Sequence, residues 1–226
     1  GKAQLLFQYL NAKKEKGVYL GANAALGRRG IRMKFFPENP ILVYRPFHLN
    51  PRNYIYLADR GRFYGDVRLY DDEGTGIHFY TNREDTIADQ EMTVELSRID
   101  LKQFKKVLPY LPDVEGWLGG SAHYVDSEGQ MMLSADVSLD HFVYEKSPLG
   151  NWAMNGVYLP GDNNTHHVDG FIMHNDQEIV FMNGIYQTDE TGKENITGEL
   201  ELQHFPLWVI NPFVPDGIVN FRGDID

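Results

Sequence analysis

The chain contains no cysteine. That one absence removes disulfides, thiolate nucleophiles and cysteine-type zinc sites together. It assigns no compartment, because exported proteins also do without cysteine. No apolar run approaches the roughly 18 residues of a helical membrane span, and no amino-terminal secretory signal is visible. Basic residues are few: 21 Lys and Arg stand against 32 Asp and Glu, for a net charge of −11. Such a chain repels phosphate backbones, which argues against nucleic-acid binding, and it does not favour a helix lying on anionic lipid. Phosphate loop, dinucleotide fingerprint and nucleophile elbow are all missing. Gly21, Gly27 and Gly30 are wrongly spaced and flank Arg28-Arg29.

What the sequence does have is aromatic residues, at 13% with 13 Tyr and 13 Phe, and these suit half-buried pleated surfaces. Segments of strict alternation recur. Phe63, Gly65, Val67 and Leu69 interleave with polar neighbours, as do Met92, Val94 and Leu96. So do Leu133, Ala135, Val137 and Leu139, then Leu200 and Leu202, then Val219, Phe221, Gly223 and Ile225. A period of two puts successive side chains on opposite faces, so each strand offers one apolar and one wet side. Turn clusters separate these runs at 37–40, 50–53, 71–74, 126–129, 161–164 and 189–195. The expectation is about a dozen short strands in antiparallel hairpins, with no strand–helix–strand rhythm. Three stretches read as helix: Leu5, Leu6, Tyr9 and Leu10 within 2–11; Leu101, Phe104, Val107 and Leu108 within 100–108; and the run 205–210.

The second and third of these each lead into the same turn. LPYLPDVEGWLGG starts at Leu108 and NPFVPDGIVNFRG at Asn211. Pro109 and Pro212 open the two copies, and Gly120 and Gly223 follow at equal offsets. The predicted unit is a strand, a short amphipathic helix, a proline turn and a further strand, with units at 92–195 and 196–226 and a helix plus preceding strands over 1–91. Repeats of this kind build extended sheets in which each unit covers the open edge of the last. The chain starts Gly1-Lys2 and stops inside the alternating run VNFRGDID. The expectation is therefore a stretch of a longer protein, for which the missing signal gives no address.

The residues TVELSRIDLKQF (93–104) leading into VLPYLPDVEGWLGG (107–120), the run ITGELELQHFPLWVINPFVPDG (196–217) and THHVDG (165–170) resemble the carboxy-terminal region of the TamB family, within the AsmA-like group of envelope proteins, in a Bacteroidetes-like version. The match is strongest from about Met92 onward, and little before Leu42 takes part. The resemblance implies a long antiparallel sheet curled into an open trough, a β-taco, with an apolar inner surface. It implies an inner-membrane anchor elsewhere in the protein, a periplasmic location and no enzymatic activity or cofactor. It also implies outer-membrane protein assembly through an Omp85-type partner such as TamA or BamA, phospholipid movement between membranes, or both. The expected lining is Phe63, Val67, Leu69, Met92, Val94, Leu96, Leu133, Ala135, Val137, Leu139, Leu200, Leu202, Val219 and Phe221.

Other chemistries are open on the residues alone. Alternation cannot separate a trough from a closed sandwich, so a secreted β-sandwich binding carbohydrate or a partner protein is the alternative. His166 and His167, with Asp162 and Asp169 nearby, invite a metal, but adjacent histidines on a strand face opposite ways and no further His or Cys gives ligand spacing. Asp71, Asp72, Glu73, Asp113 and Asp216 could supply a paired-acid hydrolase, yet all fall in turn contexts, where aspartate bonds its own backbone. Trp117, Trp152 and Trp208 read as packing residues. The acceptor motifs at Asn163 and Asn195 read as turns.

Overall fold

The computed structural model describes residues 1–58, 61–81, 89–161, 164–188, 192–214 and 220–225. The alternating runs form strands, and the turn clusters return each strand antiparallel to its predecessor. The long strands are β1 (Lys2–Leu10), β2 (Lys16–Leu26) and β3 (Gly30–Leu42), followed after β4 (Arg45–Pro46) and β5 (His48–Leu49) by β6 (Tyr54–Ala58), β7 (Phe63–Tyr70), β8 (Gly76–Thr81) and β9 (Gln90–Asp100). A 3₁₀ helix (Leu101–Lys106) then leads to β10 (Val114–Ser127), β11 (Gln130–Tyr144), β12 (Ser147–Pro160), β13 (Thr165–His174), β14 (Gln177–Thr188) and β15 (Glu194–Leu202). The chain continues through β16 (Phe205–Pro206), a second 3₁₀ helix (Leu207–Phe213) and β17 (Asp224–Ile225).

One sheet takes up all of these but β16 and β17, which pair only with each other. Its order is β1-β2-β3-β6-β7-β8-β9-β10-β11-β12-β13-β14-β15, with β4 added on β3 and β5 on β7. The path begins at β1 and ends at β15, so the sheet is an open curved trough and not a barrel. Thirteen strands at about 4.8 Å spacing make it roughly 58 Å long in the stacking direction.

The sheet is a single layer. A compact chain of 25.9 kDa would expose about 10,500 Å², whereas this one exposes 15128 Å². No second sheet faces the first among the described residues, which removes the sealed interior on which a β-sandwich depends. The buried apolar cluster is small: Phe47, Leu49 and Leu69, with Leu20, Phe35, Leu42 and Val67 packed around it. Phe47 and Leu49 come from the short β4–β5 segment, which pairs edge-on with β3 and β7 (Ile41↔Pro46 and Leu49↔Leu69).

Register shifts occur in β1, between β2 and β3, at Leu118/Gly120, at Glu115/Trp117, and past Leu139 and Ile172. All lie toward the same long rim of the sheet, where bulges add twist. Gly120 shows why one position there must be glycine. Its φ is +135°, and a Cβ would sit 2.1 Å from the carbonyl oxygen of Asp136 on the neighbouring strand.

Several expectations are corrected. Residues 2–11 are not helical but strand β1, paired with β2 from Lys2↔Ala25 to Tyr9↔Val18. Leu5, Leu6, Tyr9 and Leu10 fit a helical period, but Leu5, Phe7 and Tyr9 also alternate, and pairing with β2 decides between them. The other two helices are 3₁₀ turns, and the second holds Pro212 inside it. In the first copy of the proline motif the turn restarts the sheet as β10. In the second, 215–219 lie outside the described residues and the sheet has ended at β15. Phe221 is in no strand: its N–H donates to Asn211 Oδ1 (2.7 Å), and its carbonyl accepts from Asn211 Nδ2 (2.9 Å). Among the described residues of the predicted strand 219–225, only Asp224–Ile225 pairs, against Phe205–Pro206. The motif at Asn195 lies in β15 and not in a turn. Asn163 is outside the described residues.

Because the apolar packing is concentrated under the β4–β5 segment, Phe47→Ala should cost about 3–5 kcal/mol, the usual range for a buried Phe→Ala change. Val137→Ala, on an uncovered part of the sheet, should cost about 1 kcal/mol or less. Urea denaturation followed by circular dichroism checks the ordering.

Candidate functional site

Residues paired across antiparallel strands share a face, so the register assigns every side chain to a side. One row runs Val67–Phe79–Val94–Ala122–Ala135–Gly156–Gly170–Met182–Leu200, across nine strands. A parallel row runs Leu69–Ile77–Leu96–Gly120–Val137–Met154–Ile172–Val180–Leu202. Met92, Tyr124, Leu133, Tyr158 and Val168 begin a third. The same side continues through Phe63 and Leu57, Ile31 and Leu26, and on to Ala22 and Leu5. Among the described residues, the only charged ones on this side of β7–β15 are Asp126 and Glu194, each at a strand end.

The other side carries the charges. Asp66, Arg68 and Glu95 cluster there with His78, which lies 3.2 Å from Asp66. The Tyr80 hydroxyl donates to Glu95 (2.9 Å), and that bond holds the phenol above its ordinary pKa. Asp136, Asp169 and Glu201 follow, and Asn183 donates to Asp169. The sheet is thus amphipathic over β7–β11, whereas on β12–β14 the charged face also carries Val157, Leu159, Phe171, Phe181 and Ile185.

The register brings twelve of the expected lining residues together on the apolar side: Phe63, Val67, Leu69, Met92, Val94, Leu96, Leu133, Ala135, Val137, Leu139, Leu200 and Leu202. Val219 is outside the described residues, and Phe221 sits in the loop held by Asn211. Away from the rim this surface is open. Leu133 is 43% exposed, Val168 43% and Leu200 64%, whereas Leu69 under Phe47 is 9%. Ala122, Ala135, Gly156 and Gly170 form a lane with almost no side chain across four strands. Small residues let neighbouring backbones and guests come close.

Along one long rim three separate segments pack on the apolar side. Phe47 and Leu49 cluster with Leu69, Leu49 as its partner in register. Phe104, from the first 3₁₀ helix, lines an apolar slot of about 120 Å³ with Leu69, Ile77 and Ile99. From the second 3₁₀ helix, Trp208 lies 5.9 Å from His174 and Phe213 stacks on Tyr144 at 4.6 Å. Val209 is buried beside them at 5% exposure. The first 3₁₀ helix is tied to β10 by ion pairs, Lys102 to Glu115 (2.7 Å) and Lys105 to Asp113. These coverings were missed in the sequence, where Phe47-His48-Leu49 offers too short an alternation to read.

The remaining candidates fall apart spatially. His166 and His167 point to opposite faces, on rows with Tyr186 and Ile185. Asp162 is outside the described residues, and no group of three potential ligands converges among those described. Asp71 accepts from the backbone of Glu73 and Thr75 and lies 2.9 Å from Arg45, as a turn former does. The lysine beside Asp113 holds its carboxyl below the usual range, whereas a general acid needs it raised. Asp216 is outside the described residues. Trp117 is on the wet face under Arg98. Trp152 is on the apolar face, donating to the Leu149 carbonyl (2.9 Å).

Met154→Glu should lower binding of an apolar-surface dye such as anilinonaphthalene sulfonate severalfold. Ser121→Glu, between Glu95 and Asp136 on the charged face, should leave the fluorescence unchanged. Across the comparisons made, no protein family, curated protein or solved structure matches the chain.

Proposed function

We propose that the chain is a non-enzymatic segment of a TamB-like envelope protein, whose apolar trough carries phospholipid acyl chains between membranes. The observation that carries this reading is the unbroken apolar side of β7–β15, three rows deep and open to solvent, with charge only at two strand ends. Exposed apolar surface of this extent marks a binding function. A sliding acyl chain needs continuity more than affinity. Each methylene removed from water gains about 0.8 kcal/mol, so a charged row would stall the chain, whereas a uniform apolar row matches the bilayer it left. The resemblance of the proline-turn motifs to TamB proteins supports a periplasmic setting in a cell with two membranes and an Omp85-type partner at the outer membrane. Assisting outer-membrane protein insertion belongs to the same reading: an unfolded β-segment would use the apolar side or the open backbone edges of β1 and β15.

Mild extraction of the protein followed by mass spectrometry should recover phospholipid. A photo-reactive residue at Val137 or Val67 should label it, and one at Asp136 or Arg68 should not. Equal labelling from both faces, or no lipid at all, sinks the proposal.

A further inference from the structure

The two long rims of the trough differ in chemistry. One is sealed by the apolar coverings of Phe47, Phe104 and Trp208. At the other, over β9–β15, the same face of the sheet carries polar-tipped groups, whereas β2–β7 end there in Leu26, Ile31, Leu57 and Phe63. Tyr158, His166 and Tyr186 stack across β12, β13 and β14 with ring centroids 5.6 Å apart, and the Tyr158 hydroxyl lies 2.6 Å from His166 Nδ1. Gln90 and Asp126 pair across β9 and β10 at this rim, and one Asp126 oxygen is shielded from solvent without a hydrogen-bond partner. Glu194 ends the series on β15. Aromatic rings with polar tips belong where apolar matter meets water.

Polarity on this face therefore runs along the strands. From His166 to His174 on β13 is eight steps, about 27 Å at strand rise. One leaflet's acyl region, about half of a 30 Å hydrocarbon core, fits between the rims. Resting on the phospholipid reading above, we propose that bound phospholipid lies with its acyl chains parallel to the strands, its headgroup at the Tyr158–His166–Tyr186 rim and its terminal methyls toward the Phe104 and Trp208 coverings. The lipid would then travel sideways along the stacking direction of β9–β15, about 29 Å from strand spacing, always in one orientation.

Intrinsic tryptophans report this directly. Trp152 and Trp208 stand at the sealed rim on the apolar side, and Trp117 is on the wet face. Trp117→Phe removes the wet-face signal. That variant, and the unaltered protein beside it, would be loaded with phosphatidylcholine brominated either near the headgroup or near the terminal methyl. Bromine near the methyl should quench severalfold more than bromine near the headgroup, in both proteins. Equal quenching, or stronger quenching from the headgroup end, overturns the orientation while leaving lipid binding intact. Absence of quenching from either position, with no lipid retained on gel filtration, overturns the phospholipid reading and this proposal with it.

Discussion

Everything in this molecule depends on the antiparallel register between consecutive strands. A strand's side chains alternate with a period of two, so a one-residue slip anywhere would carry an apolar set to the wet face and a charged set into the trough. Across β7–β15 no such exchange occurs: Val67 and Leu200, eight strands apart, share a row. The cross-strand bonds of the wet face help to hold this register. His78 with Asp66, Tyr80 with Glu95, and Thr93 with His123 (2.9 Å) each join neighbouring strands. Register shifts are confined to the half of the sheet nearer the covered rim, where bends let Phe47, Phe104 and Trp208 reach over. The open half keeps plain pairing and an unbroken apolar surface.

A single layer of sheet is an unusual way to fold, because it leaves much of its apolar area in water. Leu149 and Ile179, at 1% and 2% exposure, show what full burial looks like here, and they lie near the covered rim. Stability is drawn from that rim and from the backbone ladder, and the open half leaves its apolar side chains exposed.

The alternating runs at 63–69, 92–96, 133–139 and 200–202 were legible because each carries its own face assignment in a polar neighbour. That they share one face was also legible, but that the face stays uncovered was not, since a sandwich is written with the same period. β1 was hidden because Leu6 and Leu10 add apolar residues to its second face, giving a helical spacing that only pairing with β2 overrides. The run 219–225 alternates as well as β11 does, yet among its described residues only Asp224–Ile225 finds a neighbouring strand, and Phe221 is bound instead by Asn211. The rim coverings were illegible because Phe47 and Trp208 act through contacts with residues distant in sequence. The second proline turn kept its short helix and gave no further sheet strand among the described residues.

The central claim is that the apolar side is available to acyl chains. With no native cysteine to remove, single nitroxide labels can be placed at each position from Leu133 to Leu139. Their collision rates with oxygen and with a water-soluble nickel chelate would be measured before and after adding phospholipid. Labels at 133, 135, 137 and 139 should be open to the chelate without lipid and shielded from it with lipid, while those at 134, 136 and 138 stay open throughout. Odd-numbered positions already closed to the chelate without lipid, or unchanged by its addition, would contradict the account.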